Sequence, residues 1–280
     1  MLEKYWARYL ERLERGGQQM TRPAWRYLHE DARLTTFLRL VLRIANDSAE
    51  AHHDDVQVIA QKLKDGADIP PNTLSSVLRA ANTIFEISSY GDLVAQMELT
   101  RMVDNFLSYL SELLTLIFRT KPETLRTDET TVSLSYILKY ETMDELVGAL
   151  AESRVNELAY KGLRELSKYL SRRIGFDLYT SEEDMAAAVK LIEQRNLIVH
   201  NRGIINHIFV SKLPEYDGML GQPIPLSVRQ VTINMVFLRA SALDIDQRAT
   251  EKFGLPVTTP AEAMLPKSRG DEWWADGEDG

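Results

Sequence analysis

The chain has 280 residues, which is enough to bury a sizeable core in one large domain or two smaller ones. Its 44% hydrophobic and 26% charged residues are ordinary for a folded, water-soluble protein, and its net charge of −8 argues mildly against a general nucleic-acid binder. The absence of cysteine excludes disulfides, thiolate metal sites and cysteine nucleophiles, and it fits a reducing cytosol.

No stretch of the sequence is apolar over the roughly 20 residues that a bilayer-spanning helix needs. The most apolar stretch, residues 106–118, contains Glu112. The first 17 residues are charged throughout and lack the apolar core of a signal peptide. We therefore expect a cytoplasmic protein that does not span a membrane.

Charge is distributed unevenly along the chain. Residues 261–280 hold six acids and two bases, a net −4, whereas residues 161–174 hold five bases and one acid, a net +4. A local basic stretch can contact a phosphate backbone even when the whole chain is acidic. This makes Lys168, Arg172 and Arg173 candidate nucleic-acid contacts, although a solvated helix face explains the stretch equally simply.

Helical periodicity dominates the first half of the sequence. Apolar residues recur at helical spacing in four segments, which predicts four helices, at residues 2–13, 25–44, 48–64 and 73–88. A turn at Gly66–Pro71 separates the last two of these helices. A longer helix is predicted to begin after Gly91 and to end at Pro122, with one apolar face formed by Phe106, Leu110, Leu113 and Ile117.

Residues 121–133 are polar and predict a loop, after which capping residues mark the remaining helices. Thr142 and Glu145 form a capping-box pattern, and the helix that they open is expected to run to Arg173 and stop at Gly175. Three further elements are expected: a helix opened by Ser181 and ended at Gly203, an extended segment at residues 204–210, and a final helix capped by Ser227.

These elements predict an all-α fold. The domain organisation that we expect is an N-terminal helical region at residues 1–88, a helical bundle at residues 89–254 and an acidic, disordered tail at residues 255–280. The tail segment 271–279, DEWWADGED, combines strong negative charge with two tryptophans, so it is either a solubilising tail or a docking peptide.

The most distinctive segment is Arg195-Asn196-Leu197-Ile198-Val199-His200, on the helix that Ser181 opens. We expect Asn196 to interrupt an apolar stripe formed by Met185, Val189, Ile192 and Val199. Arg195 and His200 lie about 140° apart around a helix, so one copy cannot easily direct both at a single point. Two copies meeting at a two-fold axis can form one polar cleft, where arginine binds phosphate and histidine transfers protons.

This segment, within the run EQRNLIVHNRG, resembles the signature of the HEPN (higher eukaryotes and prokaryotes nucleotide-binding) domain family. That signature is an arginine, usually followed by a polar residue, with a histidine four to six residues further on. The long helix before the motif, the glycine after it and the closing helix are also similar to the family's helical bundle. The resemblance covers roughly residues 90–250 and is much weaker outside the motif.

The resemblance implies a metal-independent endoribonuclease that acts as a homodimer and needs no cofactor. It implies that His200 is the general acid and base, that Arg195 stabilises the phosphorane and that Asn196 orients one of them or the RNA. Asn201 and Arg202 would extend the RNA contact, or would be ordinary residues of a helix end. Many family members are toxins or antiviral defence effectors with a neutralising partner protein. The alternatives are a catalytically silent module that binds RNA or a partner, and a helical scaffold.

Other chemistries have little support in the sequence. No P-loop, dinucleotide-binding or hydrolase-elbow motif occurs. His52-His53-Asp54-Asp55 lacks the spacing of helical metal ligands, which favours a solvated helix start over a metal site. His207 follows the motif and either lines its cleft or is an ordinary exposed histidine.

Overall fold

The described residues form an all-α protein. In the computed structural model these residues are 19–66, 75, 90–125, 131–160 and 162–259. They contain no β-strand beyond two isolated bridges, Met20 with Thr258 and Ile204 with Pro223. None of the described helices is both long enough and apolar enough to cross a membrane.

Eight α-helices and two 3₁₀-helices are defined within the described ranges. The α-helices are α1 Arg22–Lys64, α2 Gly91–Thr120, α3 Leu134–Ile137, α4 Met143–Tyr160, α5 Leu163–Ile174, α6 Glu182–Asn201, α7 His207–Lys212 and α8 Val228–Phe253. The 3₁₀-helices are Pro122–Leu125 and Pro214–Met219. The predicted helices at residues 2–13 and 73–88 lie outside the described residues, except for the helical Ser75.

The chain divides into two compact units, each built from separated segments. The first unit contains the chain up to Glu30, Val103–Glu193 and the chain from Asn234 onward, and the second contains Asp31–Met102 and Gln194–Ile233. The expected domain boundary between residues 88 and 89 stays a prediction. Of the expected tail, residues 255–259 are described, and Thr258 donates its backbone N–H to the Met20 carbonyl at 2.9 Å.

Two predicted helix boundaries are wrong. Residues 25–44 and 48–64 belong to one uninterrupted helix of 43 residues, α1. The polar residues between them include neither glycine nor proline, so nothing breaks the helix there. Conversely, the helix expected to run from Thr142 to Arg173 is divided into α4 and α5, because Gly162 has φ +89°, which is outside the helical region.

The predicted caps of these helices are confirmed. Thr142 Oγ1 accepts from the Glu145 backbone N–H at 3.2 Å, and Glu145 Oε2 accepts from the Thr142 N–H at 3.3 Å. Gly175 ends α5 in the left-handed conformation, with φ +62° and ψ +31°. Ser227 Oγ accepts from the Gln230 N–H at 3.2 Å at the start of α8.

The extended segment predicted at residues 204–210 is mostly wrong. Only Ile204 makes an extended contact, its bridge to Pro223. From His207 the chain is helical, because the Asn206 side chain accepts from the Phe209 N–H at 2.9 Å and caps α7. A local side-chain cap therefore outweighs the β-branched composition of the segment.

The second unit buries two neighbouring carboxyl groups. Glu98 on α2 and Asp31 on α1 are both buried, and Glu98 Oε1 has no hydrogen-bond partner among the described residues. Burial, helped by the charge of Asp31 and opposed by that of Arg101, raises the pKa of Glu98 to about 7. Ionisation of Glu98 is therefore unfavourable in the folded unit.

A buried carboxylate also connects the ends of the chain in the first unit. Asp246 on α8 accepts from the Thr21 backbone N–H at 3.1 Å and from the Thr21 hydroxyl, while Thr21 Oγ1 caps α1 by accepting from the Ala24 N–H at 3.3 Å. Burial raises the pKa of Asp246 to about 6, although the bonds from Thr21 oppose the shift. Asp246 thus holds the start of α1 against α8, but it is costly to ionise.

We expect Asp246→Asn to remove one component of the pH dependence of stability. The pKa of Asp246 is higher in the folded state than in the unfolded state. Its contribution to the free energy of unfolding is therefore fully present below about pH 4 and is lost as the pH rises through about 6. The free energy of unfolding of the wild type should therefore fall relative to the variant over this range, by on the order of 2 kcal/mol. Urea unfolding at several pH values measures the difference. Asp217→Asn, at an exposed position of the second 3₁₀-helix, controls for the loss of one negative charge. Parallel pH profiles for wild type and Asp246→Asn would contradict the expectation.

Candidate functional site

The predicted motif residues lie in the last two turns of α6. The helix begins as predicted, with Ser181 Oγ accepting from the Asp184 N–H at 3.4 Å, and it ends at Asn201. Arg195 and Asn196 are half-buried, and His200 is exposed at the end of the helix. The chain therefore presents the predicted acid–base residue to solvent.

A single copy brings together only part of the predicted site. Arg195 Nη1 donates to Asn196 Oδ1 at 3.1 Å, so these two side chains form one polar group. His200 lies five residues after Arg195 within the same helix, which places it about 140° away around the axis. The Arg195 guanidinium and the imidazole therefore start from different sides of α6, whereas Asn196, four residues before His200, lies on the same side as the histidine.

The apolar stripe predicted for α6 is wrong in all but Met185. Val189, Ile192 and Asn196 are only half-buried, and Val199 is 47% exposed. Asp184 in the first turn is buried, and from Met185 the buried residues recur at every third position, as Met185, Ala188, Leu191, Gln194 and Leu197. Three residues of an α-helix turn about 300°, so each successive buried residue is displaced by about 60° around the helix axis. Up to Glu193 the helix belongs to the first unit, and from Gln194 onward it belongs to the second.

Gln194 is a buried polar residue that the sequence analysis missed. Its Nε2 donates to the Tyr216 hydroxyl at 3.0 Å, and its Oε1 has no hydrogen-bond partner among the described residues. Tyr216 in turn packs against Phe209, with ring centroids 5.1 Å apart. The amide thus connects α6, one residue before Arg195, to the segment after the helix. No local sequence signal identifies it, because the partner is 22 residues away.

The end of α6 is formed by two consecutive left-handed residues. Arg202 has φ +54° and Gly203 has φ +73°, and the Gly203 N–H donates to the Leu197 carbonyl at 3.2 Å. The Asn201 side-chain amide donates to the Ile204 carbonyl. Asn201 therefore helps to close the helix end, whereas the Arg202 side chain is exposed. A contact of either residue with RNA stays a prediction.

The segment that follows Gly203 is closed on itself by backbone hydrogen bonds. Ile205 N–H donates to Gln222 O and Gly221 N–H to Ile205 O, both at 2.9 Å, and Ile224 N–H donates to Gly203 O at 2.8 Å. Buried apolar side chains fill the segment, and they are Ile205, Phe209, Leu213, Tyr216, Ile224 and Leu226. This packing holds the segment that follows α6, and His207 lies exposed at the start of α7.

We expect Gly203→Ala to destabilise the site. A Cβ at Gly203 would lie 3.2 Å from Gln96 Oε1, and its φ of +73° is unfavourable for any residue with a side chain. The free energy of unfolding should fall by about 1–2 kcal/mol, as measured by urea denaturation. Gly218→Ala is the matched control, since that glycine has no atom within 4 Å of an added Cβ and no positive φ. Equal stability of the two variants would contradict the assignment.

Three exposed apolar side chains lie close to His200 in the sequence. Val199 is 47% exposed, Ile204 is 37% exposed and Ile208 is 71% exposed, and all three lie within eight residues of His200 in the second unit. Exposed apolar residues clustered beside polar ones are typical of protein interaction sites. The helix end is therefore suited to contact another molecule.

The predicted basic residues lie in the first unit, on α5. Lys168 pairs with Glu165 at 2.7 Å, and the neighbouring Arg164 pairs with Glu182 at 2.6 Å. Arg172 and Arg173 are exposed in the last turn of the helix. Exposed pairs of this kind contribute little to stability. A contact of Lys168, Arg172 or Arg173 with RNA stays a prediction.

The described ranges contain no group of three or more histidine, aspartate or glutamate residues that could hold a metal ion. The backbone of His52-His53-Asp54-Asp55 lies well inside α1, so the helix start expected there is wrong, and the side chains lie outside the described residues.

Comparisons with protein-family models, curated proteins and solved structures found no match to this chain. The case for a function therefore rests on the residues and geometry of the helix end.

Proposed function

We propose that this chain is a metal-independent endoribonuclease of HEPN type whose active site is formed by the α6 ends of two copies. The observation that carries the proposal is the helix end itself. An arginine oriented by Asn196 and a solvent-exposed histidine lie in the last two turns of α6, held by the Gly203 turn. The physiological role that we propose is that of a toxin or defence effector, restrained by a partner protein.

The two side-chain types match the needs of RNA transesterification. An imidazole can take the proton of a ribose 2′-hydroxyl as that oxygen attacks the adjacent phosphorus, and an imidazolium can protonate the 5′-oxygen as its bond to phosphorus breaks. The products are a 2′,3′-cyclic phosphate and a 5′-hydroxyl. The Arg195 guanidinium would meet the developing phosphorane charge with two parallel donors.

Two copies of the chain can bring together the two side chains that a single helix directs to different sides. Because Arg195 and His200 diverge by about 140° on one helix, we propose that Arg195 of one copy faces the partner's His200 across a two-fold axis. The exposed apolar residues Val199, Ile204 and Ile208 would provide the contact area around this cleft.

We expect His200→Ala and Arg195→Ala each to abolish most cleavage. Loss of general acid–base catalysis costs about 10²–10⁴-fold in rate, and the double variant should be little slower than either single one, because the residues act as a unit. The assay uses purified protein and mixed-sequence RNA in excess EDTA, with detection of cyclic-phosphate ends. Arg195→Lys tests the need for a two-pronged donor, and circular dichroism checks that each variant is folded.

Cleavage that disappears in EDTA, or that survives both substitutions, would contradict this assignment. RNA binding by a folded wild type that cuts no RNA would favour the catalytically silent module.

We expect Ile208→Asp to weaken self-association. The Ile208 side chain is 71% exposed, and a carboxylate at the centre of the proposed apolar contact would be desolvated without a partner. Sedimentation equilibrium should show a dimer for the wild type and weaker self-association for the variant at micromolar concentration. Leu138→Asp is the matched control, because Leu138 is 74% exposed in the first unit. A monomeric wild type, or equal association of the two variants, would count against the shared site.

A further inference from the structure

An exposed apolar stripe runs along α1 in the second unit. Phe37 is 55% exposed, Leu40 is 54% exposed and Ile44 is 59% exposed. Their spacing of three and four residues places them on one side of the helix, over about 10 Å of its length. Leu38 and Asp31, which are buried, lie on the opposite side. We call Phe37, Leu40 and Ile44 the α1 stripe, and each of its side chains is more than half exposed.

The α1 stripe lies in a positively charged stretch of helix. Residues 32–46 contain three arginines and no acid. Arg33 lies four residues before Phe37, and Arg43 lies three residues after Leu40, so both border the stripe. Arg43 pairs with Asp47 at 3.7 Å, but both side chains are more than half exposed, and such a pair contributes little. The surface thus combines apolar contact area with positive charge.

We propose that the α1 stripe binds residues 271–279 of a second copy of this chain. That segment, DEWWADGED, has five acids, no base and two adjacent tryptophans. Indole rings bury large apolar areas and attract arginine side chains that stack on their faces. The acids on both sides of Trp273 and Trp274 complement the arginines that border the stripe.

The length and the side chains of residues 271–279 favour this segment as the ligand of the α1 stripe. Five extended residues span roughly 16 Å, so the tryptophans and their flanking acids can cover the whole stripe. Single-stranded RNA would also find positive charge here, but bases bind by stacking on planar side chains. Leu40 and Ile44 offer no such plane, whereas they can pack against indole rings. A peptide can therefore contact more of the side chains of the α1 stripe than RNA can. This inference is independent of RNA cleavage.

The direct test is binding of a labelled peptide of residues 268–280 by fluorescence anisotropy. The receptor is the full-length chain with Trp273→Ala and Trp274→Ala, which disables its own segment. We expect saturable binding at micromolar concentration that weakens as salt rises. Phe37→Ser with Ile44→Ser should weaken binding at least tenfold, whereas Leu138→Ser, a comparably exposed site in the first unit, should leave it unchanged. Peptides with alanine for both tryptophans, or with amides for the acids, should bind more weakly.

The source of the segment is tested by photo-crosslinking in the full-length chain. With p-benzoylphenylalanine in place of Trp274, we expect a product of dimer mass whose crosslink maps to residues 33–46. A product of monomer mass only would overturn the assignment to a second copy. Absence of saturable peptide binding, or binding that does not depend on Phe37 and Ile44, would overturn the docking surface. RNA binding that depends on these residues, in place of peptide binding, would identify RNA as the occupant and also overturn it.

Discussion

The left-handed turn at Arg202 and Gly203 is the constraint on which the candidate site depends. It ends α6 immediately after His200, so the imidazole lies at an exposed helix end instead of along a packed helix face. A side chain at Gly203 would approach Gln96, so the turn also limits which residues can stand there. Because a left-handed conformation is costly for Arg202, the surrounding hydrogen bonds must hold it in place, and Asn201, Ile204 and Gly203 supply them.

Burial of Gln194 complements this turn at the other end of the motif. A buried amide stabilises a structure only when it is hydrogen-bonded, and its bond to Tyr216 requires the segment after α6 to fold back on the helix. The motif residues therefore lie between two positions that are held in place, Gln194 before them and Gly203 after them. A rigid support of this kind suits a site whose residues must meet those of a second molecule with little freedom.

The features that the sequence predicted correctly are local ones. Thr142, Ser181 and Ser227 act on backbone groups within three residues, and Gly175 and Gly203 respond to the conformation of their own backbone. Composition and periodicity were enough to predict an all-α fold. The position of the motif at a helix end was also predictable, because the glycine that ends the helix is part of the same short segment.

The features that were missed depend on residues distant in sequence or on competition between local signals. The buried positions of α6 depend on tertiary packing. The predicted stripe assumed instead that one face is buried with the same period along the whole helix. The Gln194 contact needs Tyr216, and the helix at His207 arises because Asn206 caps a segment whose composition favours a strand. The division at Gly162 was missed because glycine inside a helical pattern is tolerated in many helices.

The central claim is that Arg195 and His200 act together across two copies of the chain. It is tested most directly by mixing purified Arg195→Ala and His200→Ala proteins, each inactive alone, under conditions that allow subunit exchange. A mixed dimer then has one intact arginine and one intact histidine on different chains, facing each other in one cleft. Since half of the dimers are mixed and each has one of two pairs, we predict recovery of up to about a quarter of wild-type cleavage. Confirmed subunit exchange with no recovery above the separate variants would contradict the account.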